Sequence, residues 1–130
     1  MEGEESPFPR RQENDMTDRE LLELAAKAAG IVVHGPARRW IAQGVSDHAL
    51  LVRNDQGGDS VFDPLADDGD TFRLAVTLGI TWGTFESNAV WARLEYGDRV
   101  FRESKERDGA QDPYAAARRA IVRAAAEMAK

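Results

Sequence analysis

The chain has 130 residues, of which 42% are hydrophobic and 31% charged, and its formal net charge is −6. This composition predicts one soluble globular domain, because domains most often run to about 100–150 residues. The lack of cysteine excludes disulfides, thiolate zinc sites and cysteine nucleophiles, and the acidic balance argues against nucleic acid as a partner.

The first 15 residues, MEGEESPFPRRQEND, predict a disordered N-terminal extension. They hold two prolines, five acids and two arginines without apolar periodicity, so they cannot bury enough surface to offset their ordering entropy. We therefore expect a single folded domain over 16–130, where 15 basic residues stand against 18 acidic ones, a net charge of −3. Its first element is a helix over 18–29, which a capping box at Thr17 and Glu20 begins and Gly30 ends.

Short strands are predicted for the next part of the chain. The β-branched run at 31–34 indicates one strand, and residues 40–42 and 49–52 indicate two more around a turn. Residues 54–59 have the composition of a loop.

A second helix is predicted over 69–78 and a third from Asp112 onward, where aspartate precedes proline as an N-cap. The second helix should bury Phe72, Ala75 and Val76, and end at Gly79. The buried stripe expected for the third helix is Tyr114, Ala117, Ile121, Ala125 and Met128, and the ion pairs expected within it involve Arg119, Arg123 and Glu127.

Between these helices, three strands are predicted over 80–86, 90–96 and 99–103, the first with a bulge or bend at Gly83, and a polar loop follows at 104–111. The order is therefore α-β-β-α-β-β-β-α. We predict an α+β fold, in which a mainly antiparallel sheet is packed by three helices, on one face or on both.

The acidic stretch Asp63–Asp70 raises the choice between a metal site and a helix start. A calcium loop fails at the apolar Leu65 and at Asp68, where a glycine is required. A magnesium site needs only one or two carboxylates, so spacing leaves it open. The structural interpretation accounts for more residues, because Asp67 or Asp68 would cap the helix and Asp70 would lie in its first turn.

The same stretch carries a resemblance to a known family, together with the first and last helices. The blocks concerned are DPL (63–65), DDGD (67–70), RLAV (73–76), MTDRELLELAAKAAG (16–30) and DPYAAARRAIVRAAAEMAK (112–130). Together they resemble the phage ABA sandwich domain family, small proteins of temperate phages and prophages. The sequence departs from the family at Phe62, where tryptophan is frequent, and over 35–60. The resemblance implies a helix–sheet–helix sandwich and a phage origin, and it implies no chemistry, catalytic residue or cofactor.

Two further groups of side chains are candidates for function. Arg38, Arg39 and Trp40 are suited to binding phosphate, stacking on a base or anchoring a protein interface, or they simply begin a strand. His48 lies beside Asp47, a pairing that can orient a general base, although His34 and His48 are each also typical of polar strand-edge residues.

The hypothesis that follows is a non-enzymatic phage accessory protein that binds a host protein in the bacterial cytoplasm and inhibits an antiviral defence system. Its expected contacts are Arg38, Arg39, Trp40, Asp67, Asp68 and Asp70, with no metal and no membrane partner. One alternative is a protein that binds a small nucleotide or phosphorylated signal at 38–40, with a homodimer formed through the alanine-rich last helix. A second is a metal-dependent hydrolase that uses His48 with Asp47, or magnesium at Asp63–Asp70.

Overall fold

A computed structural model describes residues 16–37, 44–85, 88–95, 97–107 and 109–130. The predicted N-terminal extension, the strand at 40–42 and the candidates Arg38, Arg39 and Trp40 lie outside these residues. Within the described ranges there are three helices, α1 (Asp18–Ala28), α2 (Asp68–Leu78) and α3 (Pro113–Met128). None of these is long and apolar enough to cross a membrane.

Each helix begins at the cap that the sequence predicts. The Glu20 amide donates to Thr17 Oγ1 (3.1 Å) and the Thr17 amide donates to Glu20 Oε1 (2.9 Å), which completes the capping box of α1. Asp67 accepts the Asp70 amide at the start of α2 (2.8 Å), and Asp112 accepts an amide of α3 in the same way.

The strands of the described residues form two three-stranded antiparallel sheets and one short ribbon. The first sheet has the order β1 (Val33–Pro36), β2 (Leu50–Arg53), β3 (Asp59–Phe62), and the second has the order β4 (Ile80–Thr84), β5 (Ala89–Leu94), β6 (Val100–Ser104). The ribbon joins β7 (Glu106–Arg107) to β8 (Ala110–Gln111). The α+β class, the packing of helices on antiparallel sheets and the element order are thus confirmed. The strands divide between two sheets rather than one, β3 was not predicted, and the ribbon replaces the expected polar loop.

Of the bulge or bend predicted at Gly83, the bulge is wrong, because β4 and β5 pair without interruption through Gly83 and Trp91. The glycine serves a different purpose, since a Cβ atom there would lie 3.0 Å from the Trp91 ring. The indole of Trp91 therefore lies flat over the strand where the side chain of position 83 would stand.

Helix α3 lies at the centre of the fold and packs against α1, α2 and the second sheet. Small residues are buried on most of its circumference because it has neighbours on several sides. Its ends are exposed, so the prediction that Tyr114 and Met128 belong to the buried stripe is wrong: they are 72% and 47% exposed. The residues buried on α3 are Ala116, Ala120, Ile121, Val122, Ala124, Ala125 and Ala126.

Three arginines of α3 connect it to other elements, where ion pairs within the helix were expected. Arg119 binds Asp18 of α1 (2.5 Å), Arg123 binds Glu103 of β6 (2.6 Å), and Arg118 binds Asp68 of α2 (2.6 Å). These contacts arise because the charged side chains of a central helix reach the neighbouring elements before they reach solvent. They fix the positions of α1, α2 and the second sheet around α3.

Helix α2 buries Ala75 as predicted, but the predictions that Phe72 and Val76 are buried are wrong. Phe72 and Val76 are each 65% exposed, whereas Leu74 and Ala75 are 3% and 4% exposed. The buried residues continue from Thr71 in the i, i+3, i+4 spacing of one helical face. This orientation of the helix places two large apolar side chains in solvent beside the second sheet.

Candidate functional site

An apolar groove with a cavity volume of about 290 Å³ lies between α2, β4 and the first three turns of α3. We call it the aromatic groove and define it by Phe72, Trp82, Thr84, Tyr114, Ala117 and Ile121. Its other lining residues include one acid and one base, Asp68 and Arg118. Concave, mainly apolar surfaces with a few polar groups are typical of binding sites.

Three aromatic side chains of this groove are exposed to solvent. Phe72 is 65% exposed, Trp82 48% and Tyr114 72%, and Val76 continues the exposed stripe one turn along α2 from Phe72. By contrast Ile121 at the groove is 3% exposed and belongs to the core. The groove therefore has a packed base and exposed aromatic walls.

The wall formed by α2 is held in place by hydrogen bonds of a buried threonine. Thr71 Oγ1 lies 2.5 Å from the Pro64 carbonyl oxygen and 2.9 Å from the Asp67 carbonyl oxygen. The hydroxyl thus joins the first turn of α2 to the turn that precedes it. Phe72 projects into solvent from a backbone that is fixed on its other side.

The strand register explains why Trp82 belongs to the groove and Trp91 does not. Trp82 pairs with Ala92, which is fully buried beneath α3, and directly opposite residues share a face of the sheet. Trp91 is adjacent to Ala92 in β5, so its side chain points to the other face, where it covers Gly83. Trp82 alone of the two faces the helices.

One end of the groove carries an exposed carboxylate. Arg118 Nε donates to the Leu65 carbonyl oxygen (2.9 Å) and Arg118 Nη1 donates to Asp68 Oδ1 (2.6 Å). The Arg118 side chain is only 17% exposed, whereas that of Asp68 is 76% exposed. The arginine is therefore a fixed structural group, and the carboxylate is the charge that an incoming molecule meets first.

The acidic stretch is a helix start, as the capping interpretation predicted. Asp67 is the N-cap of α2, and Asp70 accepts both the Asp63 amide (2.9 Å) and Arg73 Nη2 (2.7 Å). In the described part of the chain, no three His, Asp or Glu side chains are arranged to hold a metal ion.

The three predicted acidic contacts do not form one surface. Asp68 lines the aromatic groove, while Asp67 and Asp70 line a separate cavity of about 360 Å³ together with Ser46 and Asp63. That second cavity is lined by three carboxylates and a serine as well as by small apolar residues. Of the acidic residues predicted from sequence, Asp68 is the one that lies beside the exposed aromatic side chains.

The carboxylate that contacts His48 is that of Asp63, rather than its sequence neighbour Asp47. His48 Nε2 lies 2.9 Å from Asp63 Oδ1, and Nδ1 lies 3.7 Å from Asp18 Oδ2. Asp63 is 6% exposed, so the imidazole supplies a partner to a nearly buried carboxylate and links the acidic turn to α1. His34 is on the edge strand β1, where Nδ1 lies 2.6 Å from Asp59 Oδ1.

Sequence reasoning missed the aromatic side chains of the groove because it assigned Phe72 and Tyr114 to the core. A signal was present in α2, where Thr71, Leu74, Ala75 and Leu78 follow the full i, i+3, i+4, i+7 spacing. Tyr114 lies in the first turn of α3 and is 72% exposed, although it has the helical spacing of Ala117 and the buried Ile121.

Comparisons of the chain with protein-family models, with curated proteins and with solved structures find no match. The resemblance to the phage ABA sandwich family therefore stays a prediction from the sequence blocks.

Proposed function

We propose that this protein acts by binding a partner protein, without catalysis, and that the aromatic groove receives an apolar segment of that partner. The observation that carries the proposal is the exposure of Phe72, Trp82 and Tyr114 around a cavity with a packed base. Aromatic residues in such positions dominate the binding energy of many protein interfaces.

The size of the apolar surface supports this choice. A fully exposed aromatic side chain has about 200 Å² of solvent-accessible surface, so the exposed fractions of the three aromatic residues add to roughly 350–400 Å². Val76 extends this apolar area. The largest apolar patch on an ordinary monomer measures about 300–600 Å² and is often functional. The groove thus exposes enough apolar surface to form the centre of an interface.

The negative charge of the protein favours a partner segment that carries positive charge. The chain carries a net charge of −6, and the exposed Asp68 carboxylate stands beside the groove. Complementary charges accelerate encounter and disfavour wrong partners. A segment with Lys or Arg next to its apolar residues fits this surface better than an acidic one.

The resemblance to phage proteins supports a narrower form of the proposal. In that form the partner is a bacterial host protein, met in the host cytoplasm, and binding inhibits an antiviral defence system. Asp68 is the contact that the sequence hypothesis and the aromatic groove have in common.

The proposal is tested by selecting peptides from a displayed library of random 16-residue sequences on three immobilised proteins. They are the wild type, the groove variant Phe72→Ala/Tyr114→Ala, and the control variant Val32→Ala/Met128→Ala, which removes apolar side chains that are 51% and 47% exposed elsewhere. Far-ultraviolet circular dichroism first verifies that all three are folded.

We expect peptides with apolar and basic residues to be enriched on the wild type and on the control, and to be lost on the groove variant. Equal enrichment of these peptides on the groove variant would mean that the binding site lies outside the aromatic groove. If the wild type enriches nothing, the protein does not recognise peptide segments and the proposal fails.

A further inference from the structure

Strand β4 is an edge of the second sheet, and it is the edge that lies along the aromatic groove. Among the described residues it pairs with β5 alone. Its sequence ITWGT holds neither charge nor proline. Natural edge strands usually carry such residues because they prevent another strand from pairing there, so β4 lacks the common protection.

The hydrogen-bond pattern identifies the backbone groups that β4 turns outward. The Phe85 amide donates to the Ala89 carbonyl oxygen (3.0 Å), which marks that pair as hydrogen-bonded. Because antiparallel pairs alternate, Gly83 also bonds to β5, while the amides and carbonyls of Trp82 and Thr84 point away from it. In the described residues, no hydrogen bond joins the main chain of these two to another element.

The same two residues line the aromatic groove with their side chains. A segment that binds along the groove therefore meets two unpaired amides and two unpaired carbonyls together with the aromatic surface. An extended segment satisfies these groups with its own backbone, while its alternate side chains point towards the groove. A helix cannot do so, because its backbone groups are already bonded within the helix.

We propose that the partner segment binds as an added β-strand on β4, so that the second sheet gains a fourth strand. Apolar side chains at every second position enter the aromatic groove, and a basic side chain meets Asp68. A second copy of this chain is a poorer occupant, because it would bring another net charge of −6 and another Asp68 to the same edge. This inference rests on the proposed function and specifies the conformation of the segment.

The test uses one 16-residue peptide enriched on the wild type and lost on the groove variant. Amide hydrogen exchange of the protein is measured by NMR with and without this peptide. We expect the amides of Trp82 and Thr84 to become protected on binding, while those of Thr81 and Gly83, already bonded to β5, change little. Peptide analogues N-methylated at a single residue should bind about tenfold more weakly, or worse, when the amide of that residue faces β4, which is the case for every second residue. N-methylation of the residues between them should leave the affinity unchanged.

A matched pair of variants tests the same point from the protein side. Thr84→Pro removes one outward amide at an edge position where proline is tolerated, and Thr84→Val keeps the amide while removing the hydroxyl. We expect the first to weaken peptide binding and the second to preserve it.

Three results would overturn the inference. The first is a peptide that binds the groove without protecting Trp82 and Thr84, and it would leave the proposed function standing. The second is a peptide-free dimer by sedimentation in which these amides are already protected, since a second copy would then occupy the edge. The third is a selection that enriches no peptide, which removes the proposed function as well.

Discussion

Replacing Phe72 by alanine should change the stability of the protein very little, although the sequence assigns Phe72 to the core. Its side chain is 65% exposed, so about a third of it is buried, which corresponds to roughly 0.5–1 kcal/mol of the 1.5–3 kcal/mol for full burial. Alanine also has the higher helix propensity, by about 0.5 kcal/mol. The net loss for Phe72→Ala is therefore within about 0.5 kcal/mol.

Leu74 gives the matched comparison on the same helix, two residues away. It is 3% exposed and lies in the core, so Leu74→Ala should cost about 2–5 kcal/mol because it leaves a cavity. Urea unfolding followed by circular dichroism measures the stability of both variants. At a slope of about 2 kcal/mol per molar urea, the unfolding midpoint of Leu74→Ala should lie roughly 1 M or more below that of Phe72→Ala. If Phe72→Ala lowers the midpoint as much as Leu74→Ala does, Phe72 belongs to the core and the aromatic groove does not exist as described.

Three further outcomes are expected from the same unfolding measurement. Asp67→Ala removes the N-cap of α2 and should cost about 0.5–2 kcal/mol, while Asp67→Asn should preserve most of the stability; equal losses would mean that the capping hydrogen bond does not stabilise this helix start. Gly83→Ala places a Cβ atom 3.0 Å from the Trp91 ring and should cost about 1–3 kcal/mol of stability. The near-ultraviolet circular dichroism spectrum should change as well, and an unchanged spectrum would contradict the close contact. His48→Ala removes the partner of the nearly buried Asp63 carboxylate and should cost about 1–3 kcal/mol of stability. His34→Ala breaks an exposed pair and should cost less than about 1 kcal/mol, and the reverse order would contradict the structural role given to His48.

Local signals predicted the ends of the helices well. The capping box at Thr17, the N-cap at Asp112 and the left-handed glycine at Gly79 each act within a few residues of the backbone they control. Such features need no tertiary context, which is why a single sequence contains them. The strand β3 escaped prediction because its residues, 59–62, join a polar turn to an acidic one and have no alternating pattern.

Which face of each helix is buried depended on the neighbours of that helix. Arg123 and Glu127 have the i, i+4 spacing of an intrahelical ion pair, yet Arg123 binds Glu103 because α3 is surrounded by other elements. Arg119 likewise binds Asp18 of α1. The aromatic groove has the same origin, since it exists only where α2, β4 and α3 meet. A sequence pattern cannot reveal a surface that three distant segments build together.

The most direct test of the aromatic groove follows the indole N–H groups of the three tryptophans, Trp40, Trp82 and Trp91, by NMR while the selected peptide is added. Each indole N–H gives one resonance, so the three tryptophans can be followed separately. We predict that the Trp82 resonance shifts progressively with peptide and that the Trp91 resonance, on the other face of the sheet, moves little. A shift of the Trp40 resonance with Trp82 unchanged would place the site at Arg38, Arg39 and Trp40 and contradict the account given for the groove.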